Sequence, residues 1–414
     1  MTDASQFDLI VHDARMADGR RLDIGMRAGV IAALAPAHTL SLAVESLDAC
    51  GNVLLPGLVD AHVHLDKTYL PMPNVSGTLH EAVDLWQANR PNLNKADAIA
   101  RATRAIKHAI ANGTTAMRTH VNTLDPVDLP LVEAILELRE ITRDALTLQL
   151  VALGLPGDSP GRDDVIETAL RMGVDIVGNA PSFASDVRRS TQATFALAEK
   201  TGKPVDLHLD ENDNPNSREL EHAAELTLAY GMQGQVAAGH CCSLSFMTDS
   251  DAGRIMDQVA RAGMHVISLP SCNLVLQGRE RWPAPRGVTR VKELLARGVN
   301  VSAATDNVRD PFSPFGAYDA LMAAHICAHG AHMCGLDELA ETRAMVTRRP
   351  RAAMGLPAVD IAVDAPADLV LLDSIDVLDA VLCPPLRLAT IKSGRLVYRA
   401  EVKREWRLRQ HASG

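Results

Sequence analysis

The sequence is poor in the features that mark membrane, secreted or nucleic-acid-binding proteins. No run approaches the roughly 20 apolar residues that cross a membrane, and the first residues show no basic region followed by an apolar one. Lysine and arginine total 41 against 51 for aspartate and glutamate, which gives a net charge of −10. This excess of negative charge disfavours nucleic acid and anionic membranes as partners. We therefore expect a cytoplasmic protein that binds neither.

Cysteine is scarce and irregularly spaced. The chain has seven cysteines, an odd number without any CxxC pair, so we expect no disulfide framework and no zinc knuckle. The adjacent Cys241 and Cys242 are interpreted as small buried hydrophobic residues rather than a redox pair. With 414 residues, 47% of them hydrophobic, the chain is long enough for one large domain and a smaller one.

Apolar runs alternate with helical patterns through the middle of the chain. Segments 95–113, 127–145 and 217–231 carry apolar residues at helical spacing. Eight apolar runs typical of strands surround such segments: 53–65, 114–122, 146–154, 174–181, 204–211, 235–241, 265–271 and 301–307. Eight alternations of strand and helix predict an α/β fold, a (β/α)8 TIM barrel with its chemistry at the carboxyl ends of the strands.

The two ends of the chain have a different pattern from the middle. Segments 7–36, 367–374 and 386–402 alternate β-favouring residues with Gly and Asp turns, as short antiparallel strands do. We predict that the ends pair into one small β-sandwich domain. The predicted division is 1–56 for its first part, 57–355 for the barrel and 356–414 for its second part.

Polar residues gather where the predicted strands end. They are His62 and His64 on the first strand, His120 on the second, His208 and then Glu211 on the fifth, His240 on the sixth and Asp306 on the eighth. Residues two apart in a strand face the same side, so His62 and His64 project into one space. Imidazole and carboxylate ligands suit zinc or ferrous iron and leave a position open for water. This pattern predicts a divalent metal site, although His120 alone is more typical of a hydrogen-bonded structural residue than of a ligand.

A second group of histidines is interpreted differently. His325, His329 and His332 follow one another at spacings of four and three residues. Gly330 interrupts the helical pattern there, and no predicted strand ends nearby. We interpret this group as a solvated or packed helical face.

Five motifs occur in one order along the chain: "PGLVDAHVHLDK", "MRTHVN", "DLHLDEND", "GHCCSLS" and "ATDNVRDPFSPFG". Together they resemble the amidohydrolase superfamily, and within it the branch of bacterial cytosine deaminase and N-isopropylammelide amidohydrolase. The resemblance covers nearly the whole chain. It is specific for the superfamily and less specific for a substrate.

The resemblance implies a ligand set and a catalytic pair. It implies that one divalent metal ion, Zn or Fe(II), is bound by four residues: His62, His64, His208 and Asp306. Glu211 would shuttle protons, His240 would hold the attacking water or the tetrahedral intermediate, and Asp306 would take or orient a proton of that water. Binuclear members carry a carboxylated lysine at the end of strand three or four. Segments 146–154 and 174–181 offer none, so we expect a single metal.

The sequence departs from cytosine deaminase at several expected substrate contacts. The glutamine that reads the pyrimidine amide corresponds to Leu155, the aspartate after the metal aspartate is Asn307, and the downstream aromatic residue is Phe312 rather than Trp. Lys67 resembles the triazine enzyme and could face an anionic or oxygen-rich ring, or lie solvated in a surface loop. These four residues and His120 are the candidate substrate contacts, and Leu155 predicts poor activity on cytosine.

The function that the resemblance implies is hydrolytic removal of an exocyclic amino or alkylamino group from a pyrimidine, triazine or related ring. The small-molecule heterocycle would be the partner, and we expect a homo-oligomer. An alternative is hydrolysis of a cyclic amide or another C–N or C–S bond. A non-catalytic protein that only binds a heterocycle is a remote alternative, because such a protein needs neither a water-activating metal nor a proton shuttle.

Overall fold

The computed structural model describes residues 6–279 and 282–406. The N-terminal segment forms a four-stranded sheet, in the order β3-β2-β1-β4. Its strands are β1 (Phe7–Arg15), β2 (Arg21–Arg27), β3 (Val30–Pro36) and β4 (Ala43–Asp48). The first three strands pair in antiparallel fashion, as the turn signals predict, whereas β4 runs parallel to β1. The parallel strand was not predicted from the sequence. The short strand β5 (Leu54–Pro56) follows.

An eight-stranded parallel sheet comes next and curls into a nearly closed barrel. Its strands are β6 (Leu58–Val63), β7 (Thr114–Asn122), β8 (Thr147–Gly154), β9 (Ile176–Asn179), β10 (Val205–Leu209), β11 (Val236–His240), β12 (His265–Ser268) and β13 (Asn300–Ala303). Each lies within, or one residue outside, one of the eight predicted runs. A parallel bridge between Val63 and Asp306 joins the first strand to the segment after the last. The predicted barrel is confirmed.

Helices cover the outside of the barrel. They are α1 (Leu79–Asn89), α2 (Lys95–Ala111), α3 (Leu129–Thr142), α4 (Arg162–Met172), α5 (Val187–Thr201), α6 (Glu219–Ala229), α7 (Asp249–Arg261), α8 (Pro270–Leu276), α9 (Val291–Ala296), α10 (Ala320–Gly330), α11 (Leu336–Ala344), α12 (Arg348–Ala353) and α13 (Asp379–Leu382). Short 3-10 helices span Arg90–Asn92, Pro126–Asp128, Pro181–Phe183 and Cys242–Phe246. Helix α2 shows why such segments fold. Asn94 caps it by accepting a hydrogen bond from the backbone N–H of Asp97, and one face carries the buried residues Ala98, Ala102, Ala105 and Ala109. Within the described residues, no helix has the length and apolar character that spanning a membrane requires.

The C-terminal segment completes the small domain. Strands β14 (Leu369–Leu372), β15 (Arg387–Lys392) and β16 (Arg395–Arg399) form a second sheet with β5, in the order β16-β15-β14-β5. One buried apolar cluster includes Leu9 and Val11 from the first sheet and Leu369 and Ile391 from the second. The fold class predicted from the sequence is therefore confirmed. The division at residues 56 and 355 stays a prediction.

The interior of the barrel contains a buried charge network. Asp206 in β10 accepts a hydrogen bond from Arg118 Nη1 at 2.7 Å, and both side chains are almost fully buried. Arg118 also donates to the side chain of Gln149 and, at 2.9 Å, to the carbonyl of Ala353. Nε2 of His120 lies 3.2 Å from the other oxygen of Asp206. The network thus joins β7, β8 and β10 beneath the predicted site.

We expect Arg118→Met to lower the free energy of unfolding by roughly 3–5 kcal/mol, because the buried charge of Asp206 would lose its guanidinium partner and keep only the imidazole of His120. Urea titration of the purified variants measures this loss. The matched control is Lys95→Met, which breaks an exposed ion pair with Glu137 and should cost at most about 1 kcal/mol. Equal losses in the two variants would contradict this account of the network.

Candidate active site

The residues predicted at strand ends meet at the carboxyl end of the barrel. They lie in β6 (His62), just after it (His64), in β7 (His120), in β10 (His208), at the end of β11 (His240) and after β13 (Asp306). The backbone at His240 and Asp306 is left-handed, with φ of 68° and 62°. Such conformations cost energy in residues other than glycine, and they occur where contacts with the surrounding structure hold the backbone in place. Here they follow from turning two side chains inward at the point where their strands end.

Three imidazoles and one carboxylate converge on a single point. Nε2 of His208 lies 3.2 Å from Nε2 of His62 and 3.3 Å from Nε2 of His64. Oδ1 of Asp306 lies 3.6 Å and 3.3 Å from the same atoms of His62 and His64. Ligands about 2.0–2.1 Å from a tetrahedral zinc ion are about 3.4 Å apart. These four distances are compatible with ligands of one ion.

The electrostatics of this cluster also fit a cation. Burial, reinforced by the neighbouring imidazoles, lowers the pKa of His62 and His208 well below the usual range, so both rings are neutral at pH 7. Both oxygens of Asp306 are buried without a hydrogen-bond donor among the described residues. Neutral imidazole nitrogens and a carboxylate that face one another in this way are a donor set that suits a divalent cation.

Two further histidines adjoin this centre. Suitable ring nitrogens of His62, His64 and His120 lie within 4.8 Å of one another, and so do those of His62, His208 and His240. Gly239 permits the close approach of β11, because a Cβ there would lie 2.9 Å from Cε1 of His62. The described residues thus contain histidine clusters able to bind a metal.

Glu211 and His240 lie beside each other next to the metal-binding cluster. Oε1 of Glu211 is 3.5 Å from Nδ1 of His240. Burial raises the pKa of Glu211 well above its usual range, and the nearby carboxylates of Asp306 and Glu219 add to this effect. Helix α8 supports both residues: Asn273 Nδ2 donates to His240 Nδ1 at 3.0 Å, and Gln277 Nε2 donates to the carbonyl of Glu211 at 3.2 Å.

A cavity of about 410 Å³ opens above the cluster. This volume lies within the range of small-molecule sites. Eight of the predicted site residues line it: His64, Lys67, Leu155, His208, Glu211, His240, Asn307 and Phe312. His62, Asp306 and His120 lie deeper, and each is at most 1% exposed. His120 is therefore placed beneath the cluster, against Asp206, rather than on the cavity wall.

Lys67 is buried, and the two interpretations left open by the sequence can now be compared. Only 4% of the residue is exposed, which does not fit a solvated surface lysine. Its Nζ donates to Oδ1 of Asn122 at 3.0 Å and lies 4.9 Å and 5.2 Å from the ring centres of Trp86 and Phe312. Within residues 6–279 and 282–406 it forms no ion pair. The cavity therefore contains a buried ammonium group held by an amide and two aromatic rings.

Two further candidates, Asn307 and Leu155, also line the cavity. Asn307 donates through Nδ2 to Oδ2 of Asp310 at 2.7 Å, which fixes its amide. Leu155 is 8% exposed and presents an apolar surface to the cavity.

The second histidine group, His325, His329 and His332, lies outside the cavity. Nδ1 of His325 is 2.7 Å from the carbonyl oxygen of Val381, and Nδ1 of His329 is 2.9 Å from the carbonyl oxygen of His325. These contacts are those of a packed helical face.

Sequence reasoning missed three residues of the site. Trp86 of α1 lines the cavity, and its buried indole N–H has no hydrogen-bond partner among the described residues. Asn122 holds Lys67, and Asn273 holds His240. The spacing of Leu79, Val83 and Trp86 indicates an amphipathic helix. It does not show that the apolar face of this helix covers a cavity.

Comparison with known proteins gives consistent results. The amidohydrolase family model matches residues 128–398. A pterin deaminase of Rhizobium rhizogenes is 34% identical over 85% of this chain and 82% of its own length. An N-isopropylammelide isopropyl amidohydrolase of a Pseudomonas species is 26% identical over 96% of this chain and 99% of its own. The crystal structure of 5-methylcytosine deaminase from Klebsiella pneumoniae, with bound 5-fluorocytosine, superposes with a TM-score of 0.90 at 31% identity, covering 96% of this chain and 99% of that one.

The chain belongs to the amidohydrolase family, as the five motifs predicted. It is a hydrolytic enzyme that acts on carbon–nitrogen bonds, and its family is metal-dependent. The agreement extends from the motifs to the barrel and to the histidine clusters at the carboxyl ends of its strands.

A pair of buried carboxyls supports the segment that carries Glu211. The backbone N–H of Asp210 donates to Oε2 of Glu219 at 2.7 Å, and the N–H of Glu219 donates to Oδ1 of Asp210 at 3.1 Å. Ser182 Oγ donates to the other oxygen of Glu219 at 2.6 Å. Burial, followed by the charge of Asp210, raises the pKa of Glu219 from 4.5 to about 7.

This raised pKa predicts a pH-dependent stability. Between pH 4.5 and about 7 the folded protein retains a proton on Glu219 that the unfolded chain has lost. Stability therefore falls as pH rises through this window. We expect Glu219→Gln, which keeps the shape of the side chain, to lose part of the fall in melting temperature between about pH 5 and about pH 8. The control is Glu225→Gln on the same helix, and an unchanged slope in Glu219→Gln would refute the prediction.

Proposed function

We propose that this metal-dependent hydrolytic deaminase removes an exocyclic amino or alkylamino group from a nitrogen heterocycle bound above the histidine cluster. One observation carries the proposal: the convergence of His62, His64, His208 and Asp306 next to the Glu211–His240 pair, at the floor of one cavity. The relatives described above support this proposal. They are a pterin deaminase, an N-isopropylammelide isopropyl amidohydrolase and a 5-methylcytosine deaminase.

The four converging residues are proposed to hold one divalent ion, Zn or Fe(II). When bound, such an ion supplies a nucleophilic hydroxide at neutral pH by lowering the pKa of a bound water to about 7. The short distances among these four ligand atoms support a single ion. The predicted homo-oligomer and the predicted cytoplasmic location stay predictions.

Glu211 and Asp306 are proposed to move the protons. Burial raises the pKa of Glu211 and so favours its protonated form, which can donate to the ring nitrogen beside the attacked carbon. This transfer makes the carbon a better electrophile. Asp306 takes one proton of the attacking water. The hydroxyl of the tetrahedral intermediate returns a proton to Glu211, which then protonates the departing nitrogen, and the proton held by Asp306 restores Glu211 at the end of the cycle. The C–N bond then breaks and releases ammonia or an amine.

His240 is proposed to stabilise the oxygen of the tetrahedral intermediate. Its Nδ1 accepts a hydrogen bond from Asn273, which places the ring proton on Nε2. Nε2 is buried and has no hydrogen-bond partner among the described residues. It is therefore available to donate to oxygen that gains charge during the reaction.

The wall of the cavity indicates which ring edge fits. Lys67 and Trp86 line the cavity and carry N–H groups, of which the buried indole N–H has no partner among the described residues, whereas the Leu155 side chain carries no polar atom. A ring with oxygen or another acceptor facing Lys67 and Trp86, and an apolar or wider edge facing Leu155, satisfies these groups. Oxygen-bearing bicyclic rings such as pterin meet this description better than cytosine does.

Elemental analysis tests the metal site. We expect about one Zn or Fe per chain in the purified protein, and His208→Ala should lose it because one of four ligands is removed. The control is His325→Ala, whose histidine lies outside the cluster and should leave the metal content unchanged. Two tightly held metal ions per chain would contradict a single site.

Amine release from a panel of rings tests the activity. The metal-loaded enzyme is given pterin, 5-methylcytosine, cytosine and N-isopropylammelide. We expect at least one ring to be hydrolysed with a kcat/KM of about 10⁴–10⁸ M⁻¹s⁻¹, and cytosine to be poor because Leu155 cannot bond its amide edge. Glu211→Gln should keep the metal and lose at least about 10²-fold in turnover. Glu225→Gln, which changes an exposed carboxylate, is the control; near-normal turnover in Glu211→Gln would place the proton shuttle elsewhere.

A further inference from the structure

Helix α8 lies against the segments at the ends of three barrel strands, β10, β11 and β13. Three of its residues make these contacts, and each is at most 8% exposed: Cys272, Asn273 and Gln277. Their partners are Asn307, which follows Asp306, then His240 and Glu211. One short helix therefore contacts all three segments that carry the proposed proton-transferring and stabilising residues.

Gln277 makes its contact with the backbone of Glu211. Its Nε2 donates to the carbonyl oxygen of Glu211 at 3.2 Å, while Oε1 of the Glu211 carboxyl lies 3.5 Å from Nδ1 of His240. Gln277 lines a neighbouring cavity of about 370 Å³ and not the cavity proposed to hold the ring. It therefore has no place among the proposed substrate contacts, and it can act on the reaction through the residue that it holds.

The backbone on the other side of Glu211 is held by a different helix. Asp210 has a left-handed φ of 52°, and it exchanges two hydrogen bonds with Glu219 of α6. The segment is thus fixed by α6 at residue 210 and by α8 at residue 211. Without the bond from α8, the peptide group after Glu211 is free to turn, and the carboxyl at the end of its side chain moves with it. A misplacement of about 1 Å can cost about 10²-fold in rate.

We propose that Gln277 is a positioning residue, which holds the backbone of Glu211 so that its carboxyl reaches the nitrogens to which it transfers protons. The same helix holds His240 through Asn273, so the acid and the group that stabilises the intermediate keep a fixed relation to each other. The inference rests on the proposed function, because it requires Glu211 to be the proton shuttle. It adds a residue that lies outside the five sequence motifs.

Gln277→Met tests the proposal, because methionine has nearly the same length as glutamine and lacks the N–H donor. Turnover is measured with metal-loaded enzyme on the ring of the panel that reacts best. We expect kcat to fall by roughly 10²-fold, with little change in KM, metal content or melting temperature. The matched control is Gln258→Met in α7, which removes an amide donor to the backbone carbonyl of Glu221 outside the site. An unchanged kcat in Gln277→Met would overturn the proposal.

A double-mutant cycle separates positioning of Glu211 from a merely structural role. Gln277→Met is introduced again in the Glu211→Gln background, and the residual turnover is measured at high enzyme concentration. If Gln277 acts through the carboxyl of Glu211, its loss costs little in this background, and the two losses are far from additive. Equal fold losses of kcat in both backgrounds would overturn the proposal, since Gln277 would then act by another route.

Gln277→Glu gives a second readout and keeps the test decisive if Gln277→Met does not fold. Glutamate has the shape of glutamine, but its carboxyl can donate to the carbonyl of Glu211 only when it is protonated. We expect the kcat of this variant, relative to wild type, to rise as pH falls from about 8 to about 5. For Gln277→Met the same ratio should stay level. A low ratio that does not change with pH in Gln277→Glu would count against the proposal.

The charged and titratable groups around the amide do not explain such a difference. Those that line the same cavity are His80, His208, Glu211, Asp213 and Arg279. They are identical in wild type and in both variants, so a difference between the two ratios arises at position 277.

The failure of this proposal can be distinguished from the failure of the proposed function. Loss of turnover in Glu211→Gln with normal turnover in Gln277→Met would overturn the positioning role and leave the proposed function intact. Near-normal turnover in Glu211→Gln would contradict both the proton shuttle and the positioning role. No amine release from any ring would contradict the proposed function itself.

Discussion

The site depends on one contact between the first and last strands of the barrel. Thr305 donates to the carboxylate of Asp60 through its backbone N–H at 3.0 Å and through its hydroxyl at 2.5 Å. The backbone N–H of Asp306 then donates to the carbonyl of His62 at 2.9 Å. These bonds close the barrel between β6 and β13 and bring the histidines of one strand to the carboxylate that follows the other. Without this closure the ligand set would be divided between two edges of an open sheet.

The same closure brings several electron-pair donors close together, and these donors repel one another when no cation lies between them. Neutral imidazole nitrogens and a carboxylate face one another, and burial denies them water. An ion that binds this arrangement stabilises the folded chain by its binding free energy, since the unfolded chain holds no such site. Folding and loading with metal are therefore thermodynamically coupled in this protein.

Much of this arrangement could be predicted from the sequence, because two of the rules used depend only on nearby residues and have few exceptions. Alternating strands and helices predict the barrel, and residues at the carboxyl ends of parallel strands must meet. His62, His208 and Asp306 therefore needed no tertiary information. Trp86 and Asn273 did, since each acts from a helix whose position over the barrel is set by packing. The burial of Lys67 was left open for the same reason, because a lysine after a strand looks the same in sequence whether an aromatic helix covers it or not. The parallel strand β4 depends on its pairing with β1, and no turn residue in the sequence indicates that pairing.

The interleaving of the two chain ends also affects the order in which the protein can be built. Residues 54–56 pair with residues 369–371 immediately before the strand that carries His62 and His64. During synthesis the strand that carries His62 and His64 therefore leaves the ribosome long before the strand that pairs with the segment at its amino end. Strand β13, which supplies the other side of the closure, is also synthesised long after β6. A chain interrupted before its last strands contains every proposed ligand and every proposed catalytic residue. It lacks strands β14 to β16, which pair with β5 next to these residues. We therefore expect the active site to be completed only after nearly the whole chain has been synthesised.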